Sequence, residues 1–167
     1  QGLAALDGVV LWGSNPIDPD SRADYFDSMF HARAVIGLNT SALVESAIVD
    51  RPVFTLLLPE FRDNQEGTFH FHHLLNVGNG FLNVSRSLEE HAAQLASMLG
   101  GGPVRANRPF VEQFIRPRGA SVAATPVFVE AVEQMAAGER PGPMAAPLDR
   151  KSTRLNSSHR CISYAVF

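Results

Sequence analysis

The chain has little cysteine, tryptophan or tyrosine, and it has no long run of apolar residues. Its single cysteine, Cys161, excludes a disulfide framework within the 167 residues. No apolar segment approaches the roughly 18 residues of a membrane-spanning helix. The N-terminus has no basic stretch before an apolar one, so no signal peptide is predicted. Together with 45% hydrophobic and 19% charged residues, these features favour a globular cytoplasmic protein, with peripheral attachment to a membrane as the alternative.

Several sequence signatures of function are also absent. The chain has no phosphate-binding G-x-x-x-x-G-K-[ST] loop, no dinucleotide-binding G-x-G-x-x-G fingerprint and no G-x-S-x-G nucleophile turn. The net charge of −3 argues against a general nucleic-acid-binding protein. His70, His72 and His73 lie close together, but no carboxylate stands at a recognisable ligand spacing. We therefore predict no metal site, no cofactor, no membrane span and no nucleic-acid partner.

The last residues of the chain, DRKSTRLNSSHRCISYAVF (residues 149–167), differ from the rest. DRKSTRLNSSH is the translation of a DNA sequence that is widely used as a sequencing-library adapter, and ISYAVF is the translation of its continuation. We interpret residues 149–167 as an artefactual, disordered tail, and a natural disordered tail is the alternative. Four of the 14 basic and one of the 17 acidic residues lie there, so the rest of the chain has a net charge of −6. The Pro-, Gly- and Ala-rich residues 138–148 read as a linker.

Over residues 1–137, short apolar runs alternate with segments of helical periodicity. This order predicts an α/β domain, a Rossmann-like parallel sheet with helices on both faces. The predicted strands are Asp7–Ser14, Arg33–Leu38, Arg51–Leu58 and Gly80–Ser85. The predicted helices are Arg22–Ala32, Ser41–Asp50, Phe69–Asn76, Ser87–Gly102, Asn107–Gly119 and Thr125–Gly138.

Two of these helices carry explicit end signals. Ser87 and Glu90 have the spacing of a capping box. Thr125 is the expected N-cap of the last helix, with Pro126 in its first turn. In the helix that Ser87 begins, the predicted buried face consists of Leu88, Ala92, Leu95 and Leu99.

A polar cluster lies between two buried segments in GLNTSALVESAIVDRPVF. Asn39, Thr40 and Ser41 fall where a predicted strand ends and a helix begins, which is where ligands bind in open α/β sheets. The N–H groups of the first helical turn and the positive end of the helix dipole favour an anion there. Glu45, one turn further on, suits hydrogen bonding to vicinal hydroxyls. The same residues are also ordinary helix caps, and this simpler interpretation remains open.

A second polar junction follows the next predicted strand. Glu66, Gly67 and His70 lie in or just after this loop, which we expect beside the first junction because consecutive strands are usually neighbours. His70 is the candidate for a hydrogen-bonding or acid–base role. Arg116 and Arg118, further along the chain, are candidates for contacts with phosphate.

Residues 35–54 with residues 59–71 resemble the C-terminal nucleotide-binding domain of the two-domain GT-B glycosyltransferases. The likeness covers roughly residues 25–99 and is strongest to the branch with UDP-N-acetylglucosamine 2-epimerases and CDP-glycerol glycerophosphotransferases. The resemblance implies that Asn39, Thr40 and Ser41 hold the diphosphate of a sugar nucleotide and that Glu45 holds its ribose.

The resemblance also implies that residues 1–137 are a fragment, inactive alone, whose N-terminal partner domain is missing from this sequence. The epimerases have Asp-Ser-Gly-Gly followed by paired glutamates, whereas this chain has Asn-Thr-Ser and a single Glu45. A glycosyltransferase is therefore the prediction. A nucleotide-sugar 2-epimerase and a non-catalytic Rossmann-like interaction domain are the alternatives.

Overall fold

The structure, a computed structural model, describes residues 7–11 and 16–139 and the backbone of residues 163–166. Six helices are described: α1 (Pro19–Phe30), α2 (Ser41–Ile48), α3 (Phe69–Asn76), α4 (Leu88–Leu99), α5 (Arg108–Phe110) and α6 (Ala124–Ala136). The strands are β1 (Ala34–Gly37), β2 (Val53–Leu56), β3 (Leu82–Ser85) and β4 (Ser163–Val166). Tight 3₁₀ turns cover Pro59–Asn64 and Val77–Asn79, and a π-helical turn, Val111–Ile115, continues α5.

The first three strands form a parallel sheet, and its four-stranded order is β3-β2-β1-β4. Val53 of β2 pairs with Val35 on one side and with Leu82 on the other. Each parallel pair is joined through a helix, as such pairs require. The predicted α/β class is confirmed, and the open parallel sheet is consistent with a Rossmann-like fold. Among the described residues, no helix has the length and apolar character needed to cross a membrane.

Helices pack on both faces of this sheet. On one face, α2 and α3 pack on β2 and β3 around a core of Leu43, Ala47, Val53, Leu57, Phe71, Leu74, Phe81, Leu82 and Phe110. On the same face, Met29 at the end of α1 packs with Val35 and with Ala42 of α2. On the opposite face, Met98 of α4 packs with Ala34 and Phe54. Successive strand residues point to opposite faces, so alternate side chains serve the two layers.

The strand predicted at Asp7–Ser14 is not formed by the described residues of that segment. Residues 7 and 8 form a turn, residues 9–11 have no regular secondary structure, and Val9, Val10 and Leu11 are exposed. The outer edge of β1 is instead paired with β4, which runs antiparallel to it. These four residues lie within residues 149–167, and the interpretation of that segment as an artefactual, disordered tail stays a prediction. The predicted linker lies outside the described residues from residue 140 to residue 148.

Half of the predicted capping box of α4 is present, because Ser87 caps the helix but Glu90 reaches back to Arg86 and not to Ser87. The buried face of the helix also differs from the predicted one. Ser87 Oγ accepts from the N–H of Glu90 at 3.1 Å, and Glu90 Oε2 accepts from the N–H of Arg86 at 2.6 Å. His91 and Met98 are buried, whereas Leu88 is 70% exposed and Leu99 is 42% exposed. The rings of His91 and Phe54 meet at nearly a right angle. Contact with the sheet, and not the spacing of the leucines along α4, therefore decides which face of α4 is buried.

Two C-terminal helices also depart from the predicted bounds. The helix expected over Asn107–Gly119 is short, and its last turn closes through an N–H bond from Arg116 to the carbonyl of Val111 at 2.8 Å. Helix α6 begins with Ala123 as its N-cap, so Thr125 lies inside the helix and does not cap it. No residue of α6 is buried. Helix α5 packs closely against Gly78 (φ 62°), where a Cβ would lie 2.5 Å from Phe110 N.

Candidate functional site

The first junction lies where β1 leads into α2. Gly37 brings the strand close to the helix, because a Cβ there would lie 2.7 Å from Leu43 Cδ2 and 3.2 Å from Thr40 Cγ2. Thr40 is the N-cap residue in extended conformation, but its side chain accepts no hydrogen bond from the first turn. Ser41, the first helical residue, is exposed. The first turn of α2 therefore has no side-chain cap from the residue that precedes it, and its N–H groups point towards the carboxyl edge of the sheet.

Asn39 connects this junction to the second one. Its Nδ2 donates to the carbonyl of Asn64, and its Oδ1 lies 3.0 Å from His70 Nε2. Because Nδ2 faces a carbonyl, Oδ1 must face the ring, and His70 carries a proton on Nε2. The two polar junctions expected to be neighbours thus meet through Asn39.

Gln65 holds the ends of β1 and β2 together, a role that no feature of the sequence indicates. Its side chain is 1% exposed. Its Nε2 donates to the carbonyl of Leu38 at 2.9 Å and to that of Leu56 at 2.8 Å. Its Oε1 is buried and has no hydrogen-bond partner among the described residues. A buried acceptor without a partner costs about 1–3 kcal/mol, and this one lies at the carboxyl ends of both strands. A fully buried glutamine is hard to find from sequence, because Gln65 lies in a run of polar residues.

Glu45 lies on α2 and is half-buried. The hydroxyl of Tyr25 donates to Glu45 Oε2 at 2.6 Å, which ties α1 to α2. This bond fixes the direction of the carboxylate. A tyrosine hydroxyl bonded to a carboxylate is a strong contact because the acceptor is charged.

Glu66 and Gly67 have structural roles in the second loop. Glu66 Oε1 lies 3.7 Å from Arg86 Nη2 in an exposed ion pair that links the loop to the end of β3. Gly67 closes the turn, because a Cβ there would lie 2.9 Å from the carbonyl oxygen of Asp63. Neither residue forms a hydrogen bond with Asn39 or Ser41 among the described contacts.

The two candidate arginines are not brought to the first junction by hydrogen bonds or ion pairs. Arg118 Nη1 lies 3.0 Å from Glu130 Oε2 of α6. Arg116 ends the π-helical turn. Among the described residues, neither arginine bonds to Asn39, Thr40 or Ser41, and their contact with phosphate stays a prediction.

The neighbouring histidines have separate environments. His70 contacts Asn39, whereas the ring of His73 stacks on Phe114 at 5.1 Å and meets Phe69 edge-on. In the part of the chain that the structure describes, no group of three or more His, Cys, Asp or Glu side chains is arranged to hold a metal ion.

A second buried polar contact joins α4 to the sheet. His91 Nδ1 lies 2.9 Å from Ser85 Oγ, which in turn donates to the carbonyl of Thr55 at 3.2 Å. Burial lowers the pKa of His91 below its ordinary value of 6.5 because the charged ring would lose its hydration. His91 is therefore a neutral structural residue at neutral pH.

A cleft of about 550 Å³ lies beside α4, away from the first junction. Its lining residues are Phe54, Asn83, Val84, Glu90, Ala93, Gln94, Ser97, Pro103 and Arg105. None of the predicted site residues lines it.

No family model, curated protein or solved structure matches this chain. The candidate site therefore stands on its geometry. The arrangement offers helix N–H groups without a side-chain cap, an Asn39–His70 pair beside them and an oriented carboxylate at Glu45. Such a set suits an anion that carries hydroxyl groups.

Proposed function

We propose that this chain is the nucleotide-binding part of a GT-B-type glycosyltransferase and that it binds the diphosphate of a sugar nucleotide at the start of α2. The observation that carries the proposal is the first turn of α2, where Thr40 supplies no cap and Ser41 leaves the approach open. An anion bound there accepts from backbone N–H groups and faces the positive end of the helix dipole.

The residues around the helix start support a ligand with both charge and hydroxyls. His70 and Asn39 form a polar wall on the side of the second loop. The buried Oε1 of Gln65 is an acceptor for a hydroxyl or N–H donor that reaches the ends of β1 and β2. Glu45, oriented by Tyr25, accepts from ribose hydroxyls.

Catalysis in this proposal stabilises the departing diphosphate through the α2 N–H groups, and no covalent intermediate on this chain is required. The acceptor and the general base come from the partner domain that the resemblance implies. The chain alone therefore binds sugar nucleotides weakly and turns none over.

Calorimetric titration with UDP, CDP and GDP sugars tests the proposal. Ser41→Tyr places a ring over the first turn of α2 and should weaken binding at least about tenfold, a loss of about 1.4 kcal/mol. Ile48→Tyr adds the same ring at the opposite end of the same helix, where the native side chain is 48% exposed, and should leave binding unchanged. Equal affinity of the native chain and Ser41→Tyr would refute the proposal, as would no binding by the chain or by a longer protein that contains it.

A non-catalytic interaction domain is the second candidate, and α6 favours it. This helix exposes Phe128 by 70% and Met135 by 62%, together with Val129 and Val132, and apolar surfaces of this kind mark contacts between proteins. The two functions predict opposite results. An interaction domain binds no sugar nucleotide, and Phe128→Glu changes its association state in light scattering while Ser41→Tyr does not.

A further inference from the structure

The outer edge of β1 is the feature of the fold that the proposed function leaves unexplained. We propose that Val9–Leu11 can pair with this edge as a parallel strand. In the described structure, Ser163–Val166 occupy the edge instead of Val9–Leu11. The argument uses the handedness of strand–helix–strand connections, which is right-handed in nearly all proteins.

The described connections fix the direction in which the sheet grows. From β1 through α2 to β2, and from β2 through α3 to β3, the chain moves steadily from one side of the sheet to the other. Both connecting helices lie on the face of Leu43, Val53 and Phe71. With helices on this face, each right-handed step places the later strand on the β3 side of the earlier one.

Helix α1 lies on that same face. Its Met29 packs with Val35 of β1 and Ala42 of α2, whereas Ala34 points to the opposite face with Met98 of α4. A strand that precedes α1 and pairs in parallel with β1 must therefore lie on the side away from β2. That position is the edge where Gly37 and Ala34 now pair with Ser163 and Val166.

Residues 9–11 have the composition of the missing strand. They are β-branched and aliphatic, as parallel strands usually are. Val10 is 89% exposed, Leu11 is 59% exposed and Val9 is 41% exposed, so the described conformation leaves three apolar side chains in water. Seven residues separate Leu11 from the first residue of α1, and a connection of this length joins a strand to a helix without strain. The edge of β1 needs one partner for its open N–H and C=O groups, and either segment can supply it.

The exchange would matter for the candidate site. A strand that runs parallel to β1 ends at the edge of the sheet where β1 leads into Asn39 and Ser41. The antiparallel β4 instead begins at that edge, where Ser163 pairs with Gly37. The inference concerns the sheet edge and stands whether or not α2 binds a nucleotide.

Proline substitution in the full chain tests the exchange. Tyr164→Pro combined with Ala165→Pro removes two adjacent N–H groups of β4. The N–H groups of adjacent residues in a strand point to opposite sides, so one of these two N–H groups must face β1. Its removal breaks the pairing of β4 with β1. Ser157→Pro combined with Ser158→Pro is the matched control outside β4. Hydrogen exchange measured by mass spectrometry compares the peptides that contain Val9–Leu11, β1 and α4.

In the β4 variant, we expect the amides of Val9–Leu11 to become at least about tenfold more protected, while β1 stays protected. Adding Val10→Pro to that variant should abolish the gain and expose β1. Unchanged exchange at Val9–Leu11 together with faster exchange in β1 would overturn the proposal. A loss of protection throughout the chain, α4 included, would also contradict it, because the proposal requires the N-terminal segment to replace β4.

Discussion

Two helices begin at the same edge of the sheet, and their first turns are built differently. At the start of α4, Ser87 caps the N–H of Glu90, and Glu90 reaches back to the N–H of Arg86. At the start of α2, Thr40 occupies the equivalent place but its side chain caps nothing. Both sequences carry a hydroxyl residue before a helix, so the residue type alone does not show whether the first turn is closed. The capped turn is a structural helix end, and the uncapped one is the candidate binding site.

The ends of the strands below the two junctions are also held differently. Below α2, the neutral amide of Gln65 joins the carbonyls of Leu38 and Leu56. Below α4, the titratable ring of His91 bonds to Ser85. The contribution of Gln65 to stability should therefore be independent of pH between 5 and 8. The contribution of His91 should depend on pH in that range.

The largest effect on stability is expected from Gln65→Leu. The substitution removes the donor that Gln65 supplies to the half-buried carbonyls of Leu38 and Leu56, of which Leu38 keeps a bond from Thr55 Oγ1. The removal of the unpartnered Oε1 offsets part of this loss. We expect the free energy of unfolding to fall by about 2 kcal/mol, measured by urea denaturation. Gln113→Leu, at an exposed position, is the control and should change it by less than about 0.5 kcal/mol. Equal effects of the two substitutions would show that Gln65 does not hold the strands.

A negative charge placed at the first residue of α2 or of α4 tests which of the two helix starts binds the ligand. Ser41→Glu and Leu88→Glu make the same change at the first residue of α2 and of α4. Ser41→Glu should weaken binding of a sugar nucleotide at least about tenfold, because the carboxylate repels the diphosphate. Leu88→Glu should leave the affinity unchanged in the same titration. A loss of affinity in both variants would show that the overall charge of the chain, and not a site at α2, causes the loss.

Removal of the two hydroxyl residues compares the caps themselves. Ser87→Ala should lower the free energy of unfolding by about 1 kcal/mol, the usual loss for an N-cap side chain. Thr40→Ala should lower it by less than about 0.5 kcal/mol, because no hydrogen bond to the first turn is lost. Thermal denaturation of the two variants beside the native chain measures both values. If Thr40→Ala costs as much as Ser87→Ala, then α2 is capped in solution and its first turn is closed to a ligand.

The smallest effect is the pH dependence that His91 gives to the second junction. Its pKa is lowered in the folded chain, so below pH 6.5 the unfolded chain binds more protons than the folded one. The free energy of unfolding therefore falls as the pH drops below about 6.5 and levels off once His91 is protonated in the folded state. Urea denaturation at pH 7, 6 and 5 should show a shallower dependence for His91→Asn than for the native chain. The exposed-site variant His72→Asn should retain the native dependence, and a shallower slope in that variant instead would contradict the assignment.

The sequence predicts the order of elements better than their contacts. Helix α3 has the predicted bounds, and the three parallel strands lie within the predicted runs, because apolar periodicity reports burial directly. The first predicted strand is a strand by composition, yet pairing depends on which segment reaches the edge of β1. The buried face of α4 follows its contact with Phe54, which lies more than 30 residues before the helix in sequence.

Some contacts of the candidate site can likewise be predicted from the sequence, and others cannot. The meeting of the two junctions through Asn39 follows from the adjacency of consecutive strands, which the alternation of elements predicts. The clamp by Gln65 depends on side-chain packing between two strand ends, and nothing in the local sequence marks it. The ion pair of Arg118 with Glu130 forms across a turn of the chain and is likewise unmarked in the local sequence, and the contact of Arg118 with phosphate stays a prediction.

The central claim is that the first turn of α2, and not that of α4, receives the diphosphate. Titration of the ¹⁵N-labelled chain with UDP, followed by backbone amide resonances, tests it directly. The account predicts shifts for Ser41, Ala42 and Leu43 that saturate with UDP and are absent for Leu88, Glu89 and Glu90. Shifts of equal size at both helix starts, or shifts at neither, would contradict it.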